Sequence, residues 1–282
     1  MTVRLVDALR ETLEGWIDDL PEAWREVLSE VELGFADSDA NLKLELWEPI
    51  FPPRRGRLFP GAPEGAHMLR AFDGIEPDNV RCVVLGQDPY PEPGFSTGRA
   101  FEAGNVAAWR DLDKMFSRSV RAYMQQICAA RTGRAELAAS FDAWPGLLEE
   151  IECGSVGLEP PDEIADHWES EGVLLLNSSL TLSRFDKAID RHQSDGHLPV
   201  WRPLMQAVLA HLGASGRPIV YLAFGDVAAE NLRIAGLAKS AEPQAAFIRP
   251  HPAAADELLS LENPFTACNR HLADAGIAPI AW

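Results

Sequence analysis

The chain has 282 residues, 46% of them hydrophobic, and carries 25 Lys and Arg against 43 Asp and Glu, a net charge of -18. That is long and apolar enough to bury a sizeable core in one large α/β domain or two small ones, yet no apolar run approaches the roughly 18 residues needed to cross a membrane. The four cysteines (Cys82, Cys128, Cys153 and Cys268) form no C-x-x-C pair, which argues against zinc and iron–sulfur sites and for free thiols in a reducing compartment.

The opening stretch MTVRLVDALRETLEGWIDDL carries acids throughout and no apolar signal region, so it does not read as a secretory leader. Leu5, Leu9, Leu13, Trp16, Ile17 and Leu20 share one helical face, which predicts a helix over Thr2 to Leu20. A second is predicted from Glu22 to about Leu33. Residues 51–65, rich in Pro and Gly, read as an irregular approach to a sheet, and Gly65 to Phe72 as helical. Arg81 to Gly86 is the first sheet strand. Leu112, Met115, Phe116, Val120, Tyr123 and Ile127 predict a helix over Trp109 to Ala130. Another is expected over Ala135 to Ile151, broken near Pro145, and a further one over Asp162 to Ser170.

Val173 to Leu176 is the second strand. A helix follows over His197 to Leu212, then strands at Pro218 to Phe224 and Ala245 to Ile248, and a last helix over Glu262 to Ala275. Strands alternating with helices argue an α/β layered fold with a central four-stranded parallel sheet flanked by helices. Asp88, Asn177, Gly225 and His251 each follow a strand, so they should gather along one sheet edge, where such sheets bind their ligands.

Charge is uneven along the chain. Residues 99–134 hold seven basic residues against three acidic ones, a net of +4, whereas 136–171 carry eleven acids and no Lys or Arg. The first 79 residues, with 17 acids and 8 bases, stand at -9. Duplex DNA is gripped largely through its phosphates. Only the segment beginning at Arg99 has the sign for that; it also reads as a solvated helix face, and an acidic, Lys-poor surface suits salt adaptation.

The densest chemistry lies in CVVLGQDPYPEPGFSTGRAF, residues 82–101. An unbroken apolar strand ends at Gly86, and Gln87, Asp88, Pro89 and Tyr90 follow at once. This supplies an amide, a carboxylate and an aromatic wall where a ligand would sit; the plainer reading is an Asp-Pro turn. Within it, residues 94–98 match the G-x-S-x-G elbow of hydrolases, and His251 could complete a triad. That elbow must join a strand directly to a helix. Pro91 and Pro93 place Ser96 on a loop instead, which argues against an esterase.

GQDPY after a strand resembles the water-activating motif of family 1 uracil-DNA glycosylases, G-Q-D-P-Y-H. In the same order, residues 174–182 (LLLNSSLTL) resemble that family's L-L-L-N-x-x-L-T. Residues 250–256 (PHPAAAD) resemble a degraded H-P-S-P-L-S, and residues 263–282 resemble its closing helix and P-I-x-W end. With IFPP at 50–53, the resemblance spans roughly residues 50–282. It implies a single glycosylase-like domain over 1–282, with residues 1–49 as a helical extension and about 131–165 as an acidic insertion.

The resemblance implies that Asp88 positions water and stabilises a cationic sugar, and that His251 hydrogen-bonds uracil O2 as the base leaves. Asn177 would read the N3–H and O4 edge, Tyr90 would exclude the methyl of thymine, Phe101 would stack on the base, and Gln87 would contact it at the pocket floor. The departures fall on the DNA side. Pro91 replaces a His, Asp226 follows Gly225 where the family has a phosphate-binding Ser, and Ala255 stands where it has a wedging Leu. The function so implied is hydrolytic release of uracil from DNA, metal-free and without a cofactor, by a cytoplasmic monomer that favours single-stranded or destabilised sites. A non-cleaving uracil- or DNA-binding protein on the same fold, or a glycosylase for another modified base, is the alternative.

Overall fold

The computed structural model describes residues 1–57, 59–114, 117–184, 191–239 and 242–282. In chain order the strands are β1 (Thr2–Arg4), β2 (Lys43–Glu45), β3 (Cys82–Gly86), β4 (Val173–Asn177), β5 (Val220–Phe224) and β6 (Ala245–Arg249). The helices are α1 (Leu5–Thr12), α2 (Glu22–Leu28), α3 (Arg118–Thr132), α4 (Trp144–Glu152), α5 (Ile164–Ser170), α6 (Leu198–Ala214), α7 (Asp226–Ile234), α8 (Ala255–Leu259) and α9 (Pro264–Asp274).

β3 to β6 form a parallel sheet in the order β4-β3-β5-β6, as expected from the alternation of strands and helices. Every residue of β3, β4 and β5 is buried, which explains their unbroken apolar runs: a parallel strand covered on both faces has no polar side to show. Side chains alternate across the sheet. Val84, Leu175, Leu222 and Phe224 face a core built with Tyr123, Met124 and Ile127 of α3 and Phe265, Cys268 and Leu272 of α9. Val83, Leu85, Leu174, Leu176 and Tyr221 face a second core with Leu5 and Leu9 of α1, Trp24 and Leu28 of α2, and Trp201, Leu204 and Val208 of α6. The first residues of the chain are thus pinned to the sheet, Trp24 Nε1 donating to the Ile75 carbonyl at 2.7 Å.

Several boundaries differ from the sequence reading. Thr2–Arg4 is a strand paired antiparallel with Lys43–Glu45. The helix expected through Leu20 ends at Thr12; Gly15 takes φ 67° and a 3₁₀ turn over Trp16–Asp19 carries the chain on. Leu13 and Leu20 stay buried, so the apolar spacing was a true core signal carried by two elements. The second helix stops at Leu28, five residues short of the expected end. Gly65 to Phe72 holds one 3₁₀ turn, Arg70–Phe72. The helix expected from Trp109 is a 3₁₀ turn over Trp109–Lys114 and then α3; Met115 and Phe116 lie outside the described residues. Pro145 opens α4 rather than breaking it, because a helix's first turn needs no N–H from that residue. Helices α7 and α8 were not anticipated. Among the described residues no helix is long and apolar enough to cross a membrane.

Candidate active site

Parallel register brings the carboxyl ends of β3 and β4 side by side, with Gly86 opposite Asn177. The loops beyond them are stitched together. Ser178 donates to the Gly86 carbonyl through its amide at 3.0 Å and its hydroxyl at 2.8 Å, and the Ser179 amide donates to the Gln87 carbonyl at 2.9 Å. The polar turn after β3 is thereby fixed against the strand that carries Asn177.

A cavity of about 220 Å³ opens at this edge, lined by Gln87, Asp88, Tyr90, Phe101, Asn177 and His251 together with Gly86 and Pro91. All six residues implied as catalytic or base-binding therefore converge on one space. A roomier cleft of about 500 Å³ beside the β1–β2 ribbon contains none of them.

Asn177 is 3% exposed and rests on Gly86. A Cβ added at Gly86 would stand 2.5 Å from Asn177 Oδ1, closer than real Cβ contacts come, so only glycine fits under that amide. Gln87 Nε2 donates to Asp88 Oδ2 at 3.3 Å. The Tyr90 ring meets Phe95 edge-on at 5.6 Å, and burial, helped by Glu92, pushes its hydroxyl up to about 12. Phe101 stacks on Tyr123 with centroids 4.4 Å apart and planes within 6°. It holds φ at 61°, a left-handed conformation that costs a non-glycine residue roughly 1–3 kcal/mol and persists only where surroundings enforce it.

His251 is held by its own loop. The Ala253 amide donates to Nδ1 at 3.1 Å; that nitrogen must be an acceptor, which leaves the proton of a neutral ring on Nε2. Burial lowers the imidazole below its usual 6.5, favouring that neutral form. Gly225, with φ 92°, backs the ring: a Cβ there would lie 3.3 Å from His251 Cβ.

The residues implied on the DNA side are placed differently. Pro91 lines the cavity. Gly225 and Asp226 do not; Asp226 is exposed as the first residue of α7, where a carboxylate suits the positive helix end. Ala255 is fully buried in the core at the start of α8, so its side chain cannot be the one that meets a duplex. The exposed tip of that loop is Ala253 and Ala254. Ser96 is 1% exposed, which removes it as a hydrolase nucleophile. Sequence reading missed Arg99, Glu102, Ser119 and Val120, which also line the cavity; a basic and an acidic residue flanking an aromatic in RAFE was the available signal.

A uracil-DNA glycosylase from Streptomyces avermitilis is 30% identical over 227 residues, covering 78% of this chain and 80% of that protein. The chain belongs to the uracil-DNA glycosylase family. Another family member, from Exiguobacterium sibiricum, is 25% identical over 270 residues, 92% of this chain and 97% of that one. Among solved structures, a glycosylase from Nitratifractor salsuginis is similar in fold, with a TM-score of 0.58 at 22% identity over 94% of this chain and 97% of that chain. No family model matches the sequence.

Proposed function

We propose that this protein hydrolyses the N-glycosidic bond of uracil in DNA, the opening step of base excision repair. The observation that carries the reading is the buried Asn177 amide sharing one 220 Å³ cavity with Asp88 and His251. One amide offers both an acceptor and donors, which is what the N3–H and O4 edge of uracil requires. Tyr90 would stand against C5, where thymine carries a methyl, and Phe101 would cover the ring.

In the reaction the bond between C1′ and N1 breaks and its electron pair leaves with the base. The Nε2–H of His251 donates to uracil O2 as negative charge develops there. The Asp88 carboxylate stabilises the cationic sugar and orients a water, whose oxygen bonds to C1′ and whose proton ends on the departing base. Both groups stabilise charge present only near the transition state, the most productive use of electrostatics. The products are free uracil and an abasic site.

The DNA-side residues support a preference for single strands. Alanine at the exposed loop tip offers no bulk to fill a gap in a base stack, Asp226 repels phosphate, and the charge of -18 weakens long-range attraction. The same reading takes the protein as a cytoplasmic monomer that uses neither metal nor cofactor. Incubation with single- and double-stranded oligonucleotides bearing one uracil, followed by alkaline strand cleavage, tests it. Cleavage at uracil is expected, faster on the single strand; none on either substrate would overturn the reading.

A further inference from the structure

Behind Phe101 lies a set of charges that the proposed chemistry does not use. Arg99 and Glu102 flank that residue in sequence, and their side chains are each 5% exposed. Arg99 Nη1 donates to Glu102 Oε1 at 3.3 Å, and Nη2 lies 2.6 Å from Asp166 Oδ1. Its Nε stands 2.9 Å from Glu169 Oε1; the N–H is not aimed along that line, so the two are in close contact without a formed hydrogen bond. Arg70 completes the group, 3.8 Å from Glu102. Glu169 is 4% exposed, and its carboxylate closes so tightly on Gly74 that a Cβ there would collide with it.

Charges are seldom buried without a structural return, because desolvation opposes them. Here the partners identify the return. Asp166 and Glu169 sit on α5, and the Glu169 carbonyl accepts from Gly172, the residue that leads into β4 and so to Asn177. Ala100, between Arg99 and Phe101, donates its amide to the Leu175 carbonyl of β4 at 3.1 Å. We propose that Arg99, Glu102 and Glu169 form a positioning clamp that holds left-handed Phe101 and Asn177 in one geometry, so that the base is stacked and read together. The clamp rests on the uracil reading above and adds to it Glu169, which lies outside the cavity lining and acts through Arg99 and Glu102, which belong to it.

The clamp has a pH limit. Two arginines (Arg70 and Arg99) meet two buried carboxylates (Glu102 and Glu169) and a third, Asp166, whose side chain is exposed, so full ionisation leaves the group with one excess negative charge. Burial, with Asp166 and Glu102 adding to it against the pull of Arg99 and Arg70, pushes Glu169 up to about 8. At neutral pH Glu169 is therefore a neutral acid and the remaining charges balance. Above pH 8 it ionises, and repulsion from Glu102 and Asp166 opposes the closed arrangement.

The test is steady-state kinetics on a single-stranded uracil oligonucleotide from pH 6 to 9.5, wild type against Glu169→Gln. Glutamine reproduces the neutral acid and cannot ionise. The variant should match wild type within about threefold at pH 7 while wild-type KM rises roughly fivefold between pH 7 and 9 and the variant's does not. Arg99→Met, which breaks the clamp at every pH, should raise KM at pH 7 more than it lowers kcat, with a retained circular-dichroism spectrum and melting transition. Identical pH profiles for wild type and Glu169→Gln would overturn the clamp and leave the uracil reading intact, as would an Arg99→Met enzyme of unchanged KM. Absence of cleavage by wild type at every pH would overturn the function itself and the clamp with it.

Discussion

Gly86 and Asn177 are register partners on adjacent parallel strands, and the missing side chain of one makes room for the amide of the other. The consequence is testable. In Gly86→Ala the new Cβ must displace the Asn177 amide, since it would also meet Ala100 and Phe101 at 3.4 and 3.5 Å. A displacement of that size at a reading group is expected to lower kcat/KM by roughly 10²-fold while overpacking costs about 1–3 kcal/mol of stability. A kinetic and melting comparison with wild type checks both, and unchanged kcat/KM would remove Asn177 from substrate contact.

Asp88→Asn should keep the fold and lose most of the turnover. The substitution removes the negative charge proposed to stand opposite the cationic sugar while preserving size. A preorganised electrostatic group of this kind is worth on the order of 10²–10³-fold in kcat. Single-turnover assays with excess enzyme isolate the chemical step, and a kcat within threefold of wild type would exclude Asp88 from it.

How much of this was readable beforehand depends on the range of the interaction concerned. The apolar runs of β3 and β4 and the polar turn at Asp88 are local, and they were legible because a strand buried on both faces must be continuously apolar. The β1–β2 ribbon was not, since three-residue Thr2–Arg4 takes its meaning from Lys43–Glu45, about 40 residues away. The same holds for Arg99. Its partners Asp166 and Glu169 lie in a stretch read as a helix within an acidic, Lys- and Arg-free segment, and nothing local showed that folding would bury Glu169 against the arginine. Counting along the His251 loop assigned a wedge position to Ala255, and the short α8 turns that residue inward.

His251 sets a pH prediction. Its folded value is lowered from 6.5 by burial, so the folded protein binds fewer protons than the unfolded chain just below pH 6.5. The associated stability is present above 6.5 and is lost as pH falls through the lowered folded value. The neutral ring is also the form whose Nε2–H the proposed reaction requires as a donor. NMR titration should place the His251 midpoint below 6.5, with Nε2 protonated in the neutral ring. A midpoint at or above 6.5 would contradict the neutral-donor role.

Base selection should yield to two substitutions. In Asn177→Asp a carboxylate can no longer donate to O4, and an unmatched polar contact at a buried site costs about 1–3 kcal/mol, or roughly 5- to 150-fold in kcat/KM for uracil. Tyr90→Ala removes the ring proposed to face C5 and should admit thymine. Product analysis on paired uracil and thymine oligonucleotides decides the matter: a Tyr90→Ala enzyme that still cleaves uracil but never thymine shows that the gate lies elsewhere.

The strand preference supplies the last prediction, and the burial of Ala255 determines its design. Extracting a base from a duplex costs a few kcal/mol, less when the base is unpaired. A bulky side chain inserted behind the departing base would offset that cost. Leucine at Ala255 would instead overpack the core around α8, at about 1–3 kcal/mol. Ala254 is exposed at the loop tip and outside the residues lining the cavity, so it is the position to receive the bulk. Asp226→Ser removes a carboxylate from the first turn of α7 and leaves that helix end free to attract phosphate. Ala254→Leu with Asp226→Ser should therefore raise duplex cleavage by roughly tenfold, the equivalent of about 1.4 kcal/mol, and single-strand cleavage by much less. Initial rates on both substrates at fixed salt measure the ratio. If wild type cleaves both at equal rates and the double variant leaves the ratio unchanged, the loop tip and Asp226 are not what limits duplex cleavage.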